Sequence, residues 1–231
     1  MPSQPGGRLL EEEGIDAQQP TARAYDAEYF TTLYGAMPAQ TVADKGRDLL
    51  IRRLVERHGG RGRLLEIGCG FGYLLRRFHD DFEVCGTDIS AHAAGFARRH
   101  VRGGRVVAAD IQDGIPFVGR FDVILAVNVM EHLPAPAAAM AAIAEHLKPG
   151  GLFVAHLPTI SSRLAGWFYA RSYARDQTHV FRPSGEEFNA LAIEAGLEVV
   201  QSLYFPFWPA GLWSRLRPHP SYLAVFRLSE A

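Results

Sequence analysis

Two hydrophobic patterns alternate along the chain between residues 41 and 158. Five short apolar runs predict buried strands: RLLEI, FEVCGT, RVVAA, FDVILAV and GLFVAHL. Residues 41–58 have apolar side chains on one side only, and the segments between the strands, 72–79, 91–100 and 135–147, also favour helices. The runs FDVILAV and GLFVAHL are apolar on both faces, as strands of a parallel sheet covered by helices must be. The pattern therefore predicts an α/β fold with an open doubly wound, Rossmann-like sheet.

A further helix and two more strands follow a break at 158–183. Ser184 and Glu187 have the spacing of a capping box, the predicted helix runs to Ala195, and Gly196 ends it. The runs LEVVQSLYF and SYLAVFRLS are the last strands. Their connection, 206–220, holds four prolines and no convincing crossover helix, so antiparallel pairing is expected. The sheet would then have seven strands.

Composition narrows the class of protein. Residues 1–22 are rich in Pro, Gly, Gln and Glu and predict a flexible leader, which leaves 23–231 as one domain. The 24 basic and 25 acidic side chains give no overall field that would recruit nucleic acid. Two cysteines without ligand spacing predict neither a disulfide framework nor a zinc site, and no signal peptide or membrane span is evident. A cytoplasmic protein is expected.

The segment LLEIGCGFGYLL, residues 64–75, joins a predicted strand to a predicted helix through three alternate glycines. Gly68, Gly70 and Gly72 allow a sharp turn and a close approach of the backbone to a ligand. The first turn of a following helix would add N–H groups that have no partner within the helix. This turn is therefore expected to bind a polar small molecule.

Polar side chains also stand where each predicted strand ends, at the edge where ligands bind in open α/β sheets. Asp88 lies twenty residues after Gly68, where a carboxylate can accept hydrogen bonds from a ribose diol, with Ile89 beside it. Asp110 and Ile111 could read the amino group and ring face of adenine. The glycine spacing is GxGxG rather than GxGxxG, which argues against a dinucleotide pyrophosphate.

Five ordered segments resemble the successive motifs of class I S-adenosylmethionine-dependent methyltransferases: EIGCGFG, VCGTDIS, AADIQD, FDVILAVNVMEHLP and LKPGGLFVAHLP. The stretch from Asp176 to Val200 is similar to one in the small-molecule branch of that class. The resemblance implies a seven-stranded sheet with its last strand reversed, and S-adenosylmethionine as cofactor. It implies a cofactor site formed by Glu66, Gly68, Gly70, Gly72, Asp88, Ile89, Asp110, Ile111 and Asn128, with Asn128 by the methionine end.

A hydroxyl acceptor would need a general base. Three histidines are candidates: His179, the first choice because it lies in a loop on the acceptor side, His132, and His156, which sits in an apolar strand end. The segment NVMEH resembles a segment of ubiquinone-pathway O-methyltransferases in which two acids and a histidine are associated with a divalent metal. Asn128 stands where the first acid would be, so no metal is expected.

The segments 162–175 and 204–217 are rich in aromatic residues and arginine. They favour an aromatic or lipid-like acceptor pocket, and they also fit a peripheral membrane contact or a homodimer face. The expected activity is methyl transfer from S-adenosylmethionine to a small-molecule or lipid-like acceptor, in the first place to oxygen. Two alternatives are a nicotinamide-dependent oxidoreductase and a catalytically inactive, cofactor-binding partner subunit.

Overall fold

The computed structural model describes residues 40–59, 62–173, 176–205, 210–217 and 219–229. The predicted leader, 1–22, lies outside the described residues. In the described part, no helix is both long enough and apolar enough to cross a bilayer.

Six helices and seven strands follow one another along the described chain. The strands are β1 (Gly62–Ile67), β2 (Phe82–Asp88), β3 (Arg105–Ala108), β4 (Phe121–Val127), β5 (Leu147–Pro158), β6 (Leu197–Tyr204) and β7 (Ser221–Leu228). The helices are α1 (Val42–His58), α2 (Ala91–His100), α3 (Pro136–His146), α4 (Arg163–Ser172), α5 (Gly185–Glu194) and α6 (Ala210–Leu216). Short 3-10 helices lie at Leu75–Arg77, Ile111–Asp113 and Met130–His132.

One sheet contains all seven strands, in the order β3-β2-β1-β4-β5-β7-β6. Strands β1 to β5 pair in parallel, whereas β7 is antiparallel to both β5 and β6. The predicted doubly wound fold with a reversed last strand is confirmed. Its core lies on both faces of the sheet, because successive strand residues point to opposite sides: Leu64 packs with α1 and α2, and Leu65 packs with α3 and α5.

Three helix predictions need correction. The helix predicted at 72–79 is only the 3-10 turn Leu75–Arg77, because after one bond from Arg76 N–H to Gly72 O the next bonds span three residues. The break at 158–183 contains α4, which the sequence reading left out. The connection between β6 and β7 contains α6, a helix of seven residues, although the two strands are antiparallel as predicted.

The parallel register brings four strand ends to one edge. Ile67 pairs with Thr87 on one side and with Ala126 on the other, and Asp88 pairs with Ala108. The residues that follow β1, β2, β3 and β4 therefore meet at the same place, and this edge holds the candidate site.

Candidate active site

A cavity of about 510 Å³ opens at the carboxyl ends of β1, β2, β3 and β4. It is large enough for a nucleoside-sized ligand. Nine of the predicted site residues line it: Glu66, Gly68, Gly70, Asp88, Ile89, Asp110, Ile111, Asn128 and His132. Gly72, His156 and His179 are not among its lining residues.

The glycine turn separates ligand binding from packing. Gly68, Gly70 and Gly72 have φ angles of 65°, 51° and 74°, in the left-handed region. A Cβ at Gly72 would lie 2.7 Å from Val101 Cγ2, against the end of α2, whereas a Cβ at Gly70 would meet nothing within 4 Å. The open side of the turn at Gly70 faces the cavity, so this is where a ligand can touch the backbone.

Asp88 links the glycine turn to the start of α2. Its Oδ2 accepts a hydrogen bond from Gly70 N–H at 2.7 Å, and its Oδ1 accepts one from Ser90 N–H at 2.9 Å. Burial raises the pKa of the Asp88 carboxyl, and the two backbone N–H groups oppose that rise. Each oxygen has a second lone pair, so the carboxylate can hold the turn and accept from a bound diol together.

Asp110 and Ile111 border the cavity at the end of β3. Asp110 Oδ1 accepts a hydrogen bond from Gln112 N–H at 2.9 Å and so caps the short 3-10 helix that follows. Ile111, which is buried, lies directly after it. A polar group and an apolar surface are thus presented side by side, as recognition of a purine ring requires.

Glu66 is a buried acid whose Oε2 has no hydrogen-bond partner among the described residues. Burial raises the pKa of its carboxyl well above the ordinary value, and the negative charge of Asp48 raises it further. An unsatisfied buried carboxyl oxygen on a cavity wall marks a place where a ligand can donate a hydrogen bond.

Three lining residues of α1 were not predicted from the sequence: Asp44, Arg47 and Asp48. Arg47 Nη2 lies 2.9 Å from Asp48 Oδ1, so the wall beside Glu66 carries both a cation and an anion. The sequence does contain a sign of Asp48, which lies on the same face of the helix as the apolar residues Ile51 and Val55. In the structure Asp48 is fully buried, and an acid on a buried apolar face usually has a specific role.

Hydrogen bonds with the loop that contains Asp176 and Thr178 fix which nitrogen of His132 carries the proton. Thr178 Oγ1 donates to Asp176 Oδ1, so it must accept from His132 Nδ1–H, 2.8 Å away. The basic lone pair of the ring is then on Nε2. Burial lowers the pKa of His132 to about 4, and the neighbouring His179 adds to the effect, so the imidazole is neutral at pH 7.

His179 lies behind His132 as seen from the cavity. The ring centroids of the two histidines are 4.8 Å apart, and His179 Nδ1 is 3.0 Å from Tyr169 Oη. The side chain of His179 is buried, and burial lowers its pKa. The structure thus brings the first-choice base next to the second, but only His132 is on the wall of the cavity.

Glu131, His132 and His179 place one potential metal-ligand atom each within 4.8 Å of one another. Burial raises the pKa of Glu131 to about 8, so its carboxyl is mostly protonated at pH 7. A bound cation would displace that proton, and one acid with two histidines is a donor set that suits a divalent ion, so these three side chains could hold a metal.

Comparisons with known proteins agree with the fold and give the family. A family model described as a methyltransferase domain matches residues 42–202. A ubiquinone biosynthesis O-methyltransferase of Aromatoleum aromaticum is 29% identical over 174 residues, covering 67% of this chain and 73% of that protein. A Serratia proteamaculans protein of the same name is 30% identical over 130 residues, which cover 53% of each chain. The structure of N-methyltransferase NodS from Bradyrhizobium japonicum, in complex with S-adenosyl-L-homocysteine, has a TM-score of 0.62 at 21% identity and covers 82% of this chain and 89% of its own.

Proposed function

Because the chain belongs to the methyltransferase domain family and is an S-adenosylmethionine-dependent methyltransferase, we propose that it methylates an oxygen atom of a small-molecule or lipid-like acceptor. The observation that carries the choice of oxygen is His132, a neutral imidazole on the cavity wall whose tautomer is set by Thr178. Two relatives named O-methyltransferases support the same choice, and NodS, an N-methyltransferase, shares only the fold.

We assign the cofactor to the cavity from the chemistry of its walls. Asp88 would accept from the ribose hydroxyls, and Asp110 with Ile111 would hold the adenine. The backbone at Gly68 and Gly70 would lie against the methionine part. Arg47 and the unsatisfied Glu66 suit a carboxylate and an ammonium group, respectively.

When bound, S-adenosylmethionine supplies a methyl group on a positively charged sulfur. The chain must then hold the acceptor oxygen in line with the methyl group, about 3 Å from it, and exclude water. His132 Nε2 would take the hydroxyl proton, a contribution of about 100-fold to 10,000-fold. His179, packed against His132 and bonded to Tyr169, would keep the ring in place.

Labelled methyl transfer to two matched acceptor panels tests the proposal. One panel contains alkyl-substituted phenols and catechols, and the other contains the corresponding anilines. Label is expected on the phenols and catechols only, and His132→Ala should slow its transfer about 100-fold to 10,000-fold. Transfer confined to the anilines would contradict an oxygen acceptor. Adenosylhomocysteine binding without transfer to either panel would contradict the proposed class of acceptor.

We propose that turnover needs no divalent metal, since Asn128 stands where the metal-associated segment has its first acid, which leaves Glu131, His132 and His179 as the groups that could hold an ion. After dialysis against EDTA, kcat should stay within about twofold of its starting value. Loss of activity that Mg²⁺ or Mn²⁺ restores would refute this.

A surface formed by α4 and α6 suits the membrane contact considered for 162–175 and 204–217. Leu164 and Trp167 of α4 are 50% and 48% exposed, and Leu216 of α6 is 54% exposed. The guanidinium carbon of Arg171 lies 3.7 Å from the centroid of the Trp167 ring. Exposed apolar groups beside arginine match the interface of an anionic bilayer.

Sedimentation with phosphatidylglycerol and phosphatidylcholine vesicles tests that contact. Binding to the anionic vesicles is expected, and Trp167→Ser with Leu216→Ser should weaken it. Val118→Ser is the matched control, because Val118 is an exposed apolar residue in another part of the molecule. If the double substitution instead dissociates a dimer in the ultracentrifuge, the surface is a homodimer face. Apart from such a membrane contact, we propose that the protein resides in the cytoplasm.

A further inference from the structure

Three side chains form a hydrogen-bonded chain from the interior of the sheet to the cavity. His156 in β5 is buried, and its Nδ1 is 2.8 Å from Asn128 Oδ1. On the other side of the ring, His156 Nε2 is 2.8 Å from Ser221 Oγ at the start of β7. Asn128 follows β4, has a φ of 55°, and lines the cavity.

The donors and acceptors in this chain can be assigned in only one way with a neutral ring. An amide oxygen only accepts, so His156 must carry its proton on Nδ1 and donate it to Asn128 Oδ1. Nε2 then accepts from the Ser221 hydroxyl. Burial lowers the pKa of His156 to about 3, so the ring keeps one proton throughout the physiological range. Ser221 N–H in turn donates to His219 Nδ1 at 3.1 Å.

The left-handed backbone conformation of Asn128 favours asparagine at this position. Few residues other than glycine adopt a φ near 55°, and asparagine is among the most tolerant of them. Asn128 N–H also donates to His156 O at 2.8 Å, so backbone and side chain both join the end of β4 to β5. With Oδ1 engaged by the histidine, the NH2 group is the end of the carboxamide that can face a ligand.

We infer that His156 and Ser221 are positioning residues that hold the Asn128 carboxamide with its NH2 group toward the cavity, where it donates a hydrogen bond to the acceptor's reacting oxygen. The inference rests on the proposed function and deepens it. Asn128 and His132 are four residues apart, joined by the 3-10 helix Met130–His132, and both line the cavity. The hydrogen-bond donor and the general base therefore stand on one short segment.

This donor discriminates between acceptor atoms. A hydroxyl or phenolate oxygen has at least two lone pairs, so it can accept from Asn128 and attack the methyl group at the same time. A neutral amine nitrogen has one lone pair, and accepting a hydrogen bond would remove the pair that must attack. Asn128 held in this orientation thus favours oxygen acceptors and disfavours amines.

Two substitutions of His156 separate positioning from mere stability. His156→Asn places an amide N–H near the position of Nδ1, where it can still donate to Asn128 Oδ1. His156→Gln places its amide near the position of Nε2, which preserves the Ser221 contact and leaves Asn128 Oδ1 without its donor. Both variants lose one buried hydrogen bond, and His156→Asn also loses the larger volume, so its melting temperature should fall at least as far as that of His156→Gln.

The expected result is a split between these two variants. His156→Gln and Asn128→Ala should lower kcat/KM for the phenolic acceptor about 10-fold to 100-fold, whereas His156→Asn should stay within about threefold of wild type. Adenosylhomocysteine affinity should remain within about twofold in both His156 variants. Asn128→Asp, which replaces the donor by an acceptor, should be the least active variant. Equal losses in the two His156 variants would overturn the inference.

Nitrogen-15 NMR of the histidine side chains provides a readout that needs no acceptor. The His156 ring should be protonated on Nδ1 and bare on Nε2, and a proton on Nε2 would overturn the positioning role. Failure of the proposed function is recognised differently, as a protein with this tautomer and normal adenosylhomocysteine affinity that methylates no phenol.

Discussion

At the scale of single residues, Asp88 has two tasks, and its substitution should reveal both. Asp88→Asn keeps the size of the side chain but loses its negative charge and one of its two acceptor oxygens. The amide therefore cannot accept hydrogen bonds from both backbone N–H groups, of Gly70 and Ser90, and from a ribose diol as the carboxylate can. Hydrogen bonds to charged groups contribute about 1.5 to 3 kcal/mol each, so adenosylhomocysteine should bind at least about 10-fold more weakly by calorimetry.

Asp113→Asn is the matched control for that experiment. Asp113 is an exposed acid at the end of the 3-10 helix that Asp110 caps, and it is not among the lining residues. Its substitution should leave the affinity within about twofold. Unchanged affinity in Asp88→Asn as well would contradict the ribose assignment.

His132 permits a prediction about pH. A general base acts in its neutral form, and burial lowers the pKa of His132 to about 4. In the wild-type protein, kcat/KM should therefore be flat from about pH 8 down to about pH 5 and should fall only near pH 4. An acid limb near the ordinary histidine value of about 6.5 would contradict His132 as the base.

The substitution His132→Ala should lower kcat for a phenolic acceptor about 100-fold to 10,000-fold and leave cofactor affinity nearly unchanged. His146→Ala serves as the control, because His146 does not line the cavity and its Nδ1 bonds to the carbonyl of Ala142 within α3. A loss of affinity equal to the loss of kcat would show that His132 binds the cofactor instead.

At the scale of elements, the glycine turn allows a paired experiment. Gly72→Ala would press a methyl group to 2.7 Å from Val101 Cγ2 and 3.1 Å from Ala97 Cβ, so it should destabilise the protein by about 1 to 3 kcal/mol. Gly70→Ala meets no neighbour and carries only the backbone strain of its positive φ, so it should cost less stability but weaken adenosylhomocysteine binding more. Urea unfolding measures the loss of stability, and calorimetry measures the loss of affinity. If Gly70→Ala lost more stability and Gly72→Ala lost more affinity, the assignment of Gly70 to ligand binding and Gly72 to packing would be wrong.

Strands were easier to predict than the short helices, for a physical reason. Apolar runs such as FDVILAV are buried on both faces, and this burial is written in their composition. The 72–79 segment has helical spacing because Leu74, Leu75 and Phe78 are all buried, yet a 3-10 turn flanked by other turns buries them as well. Hydrophobic periodicity records which residues are inside, and it does not record how many helical bonds connect them.

The candidate site shows the same division. Residues at strand ends, such as Asp88 at the end of β2 and Asn128 directly after β4, could be placed in the cavity because parallel register aligns strand ends. Arg47 reaches the cavity from α1, through tertiary packing that no local pattern describes. His179 packs against His132, and His156 bonds to Ser221, 65 residues further along the chain, so their roles followed only from the folded geometry.

At the scale of the whole molecule, buried histidines couple folding to pH. Burial lowers the pKa values of His132 to about 4 and of His156 to about 3, whereas an unfolded chain would titrate them near 6.5. Between the folded-state pKa of each histidine and pH 6.5, the unfolded state binds more protons than the folded state. The free energy of unfolding therefore receives a favourable contribution from each of them above pH 6.5, and this contribution is lost as the pH falls.

Comparison of wild type with His156→Asn isolates one of these contributions, because every other titrating group is common to both proteins. The wild-type protein should be the more stable one at pH 7.5. As the pH falls from 6.5 toward 4.5, the difference in the free energy of unfolding should narrow by about 1.4 kcal/mol per pH unit. Urea denaturation at pH 7.5, 6.5, 5.5 and 4.5 measures it. A difference that does not change with pH would mean that His156 takes up its second proton as readily in the folded state as in the unfolded state, which a ring that accepts from Ser221 would not do.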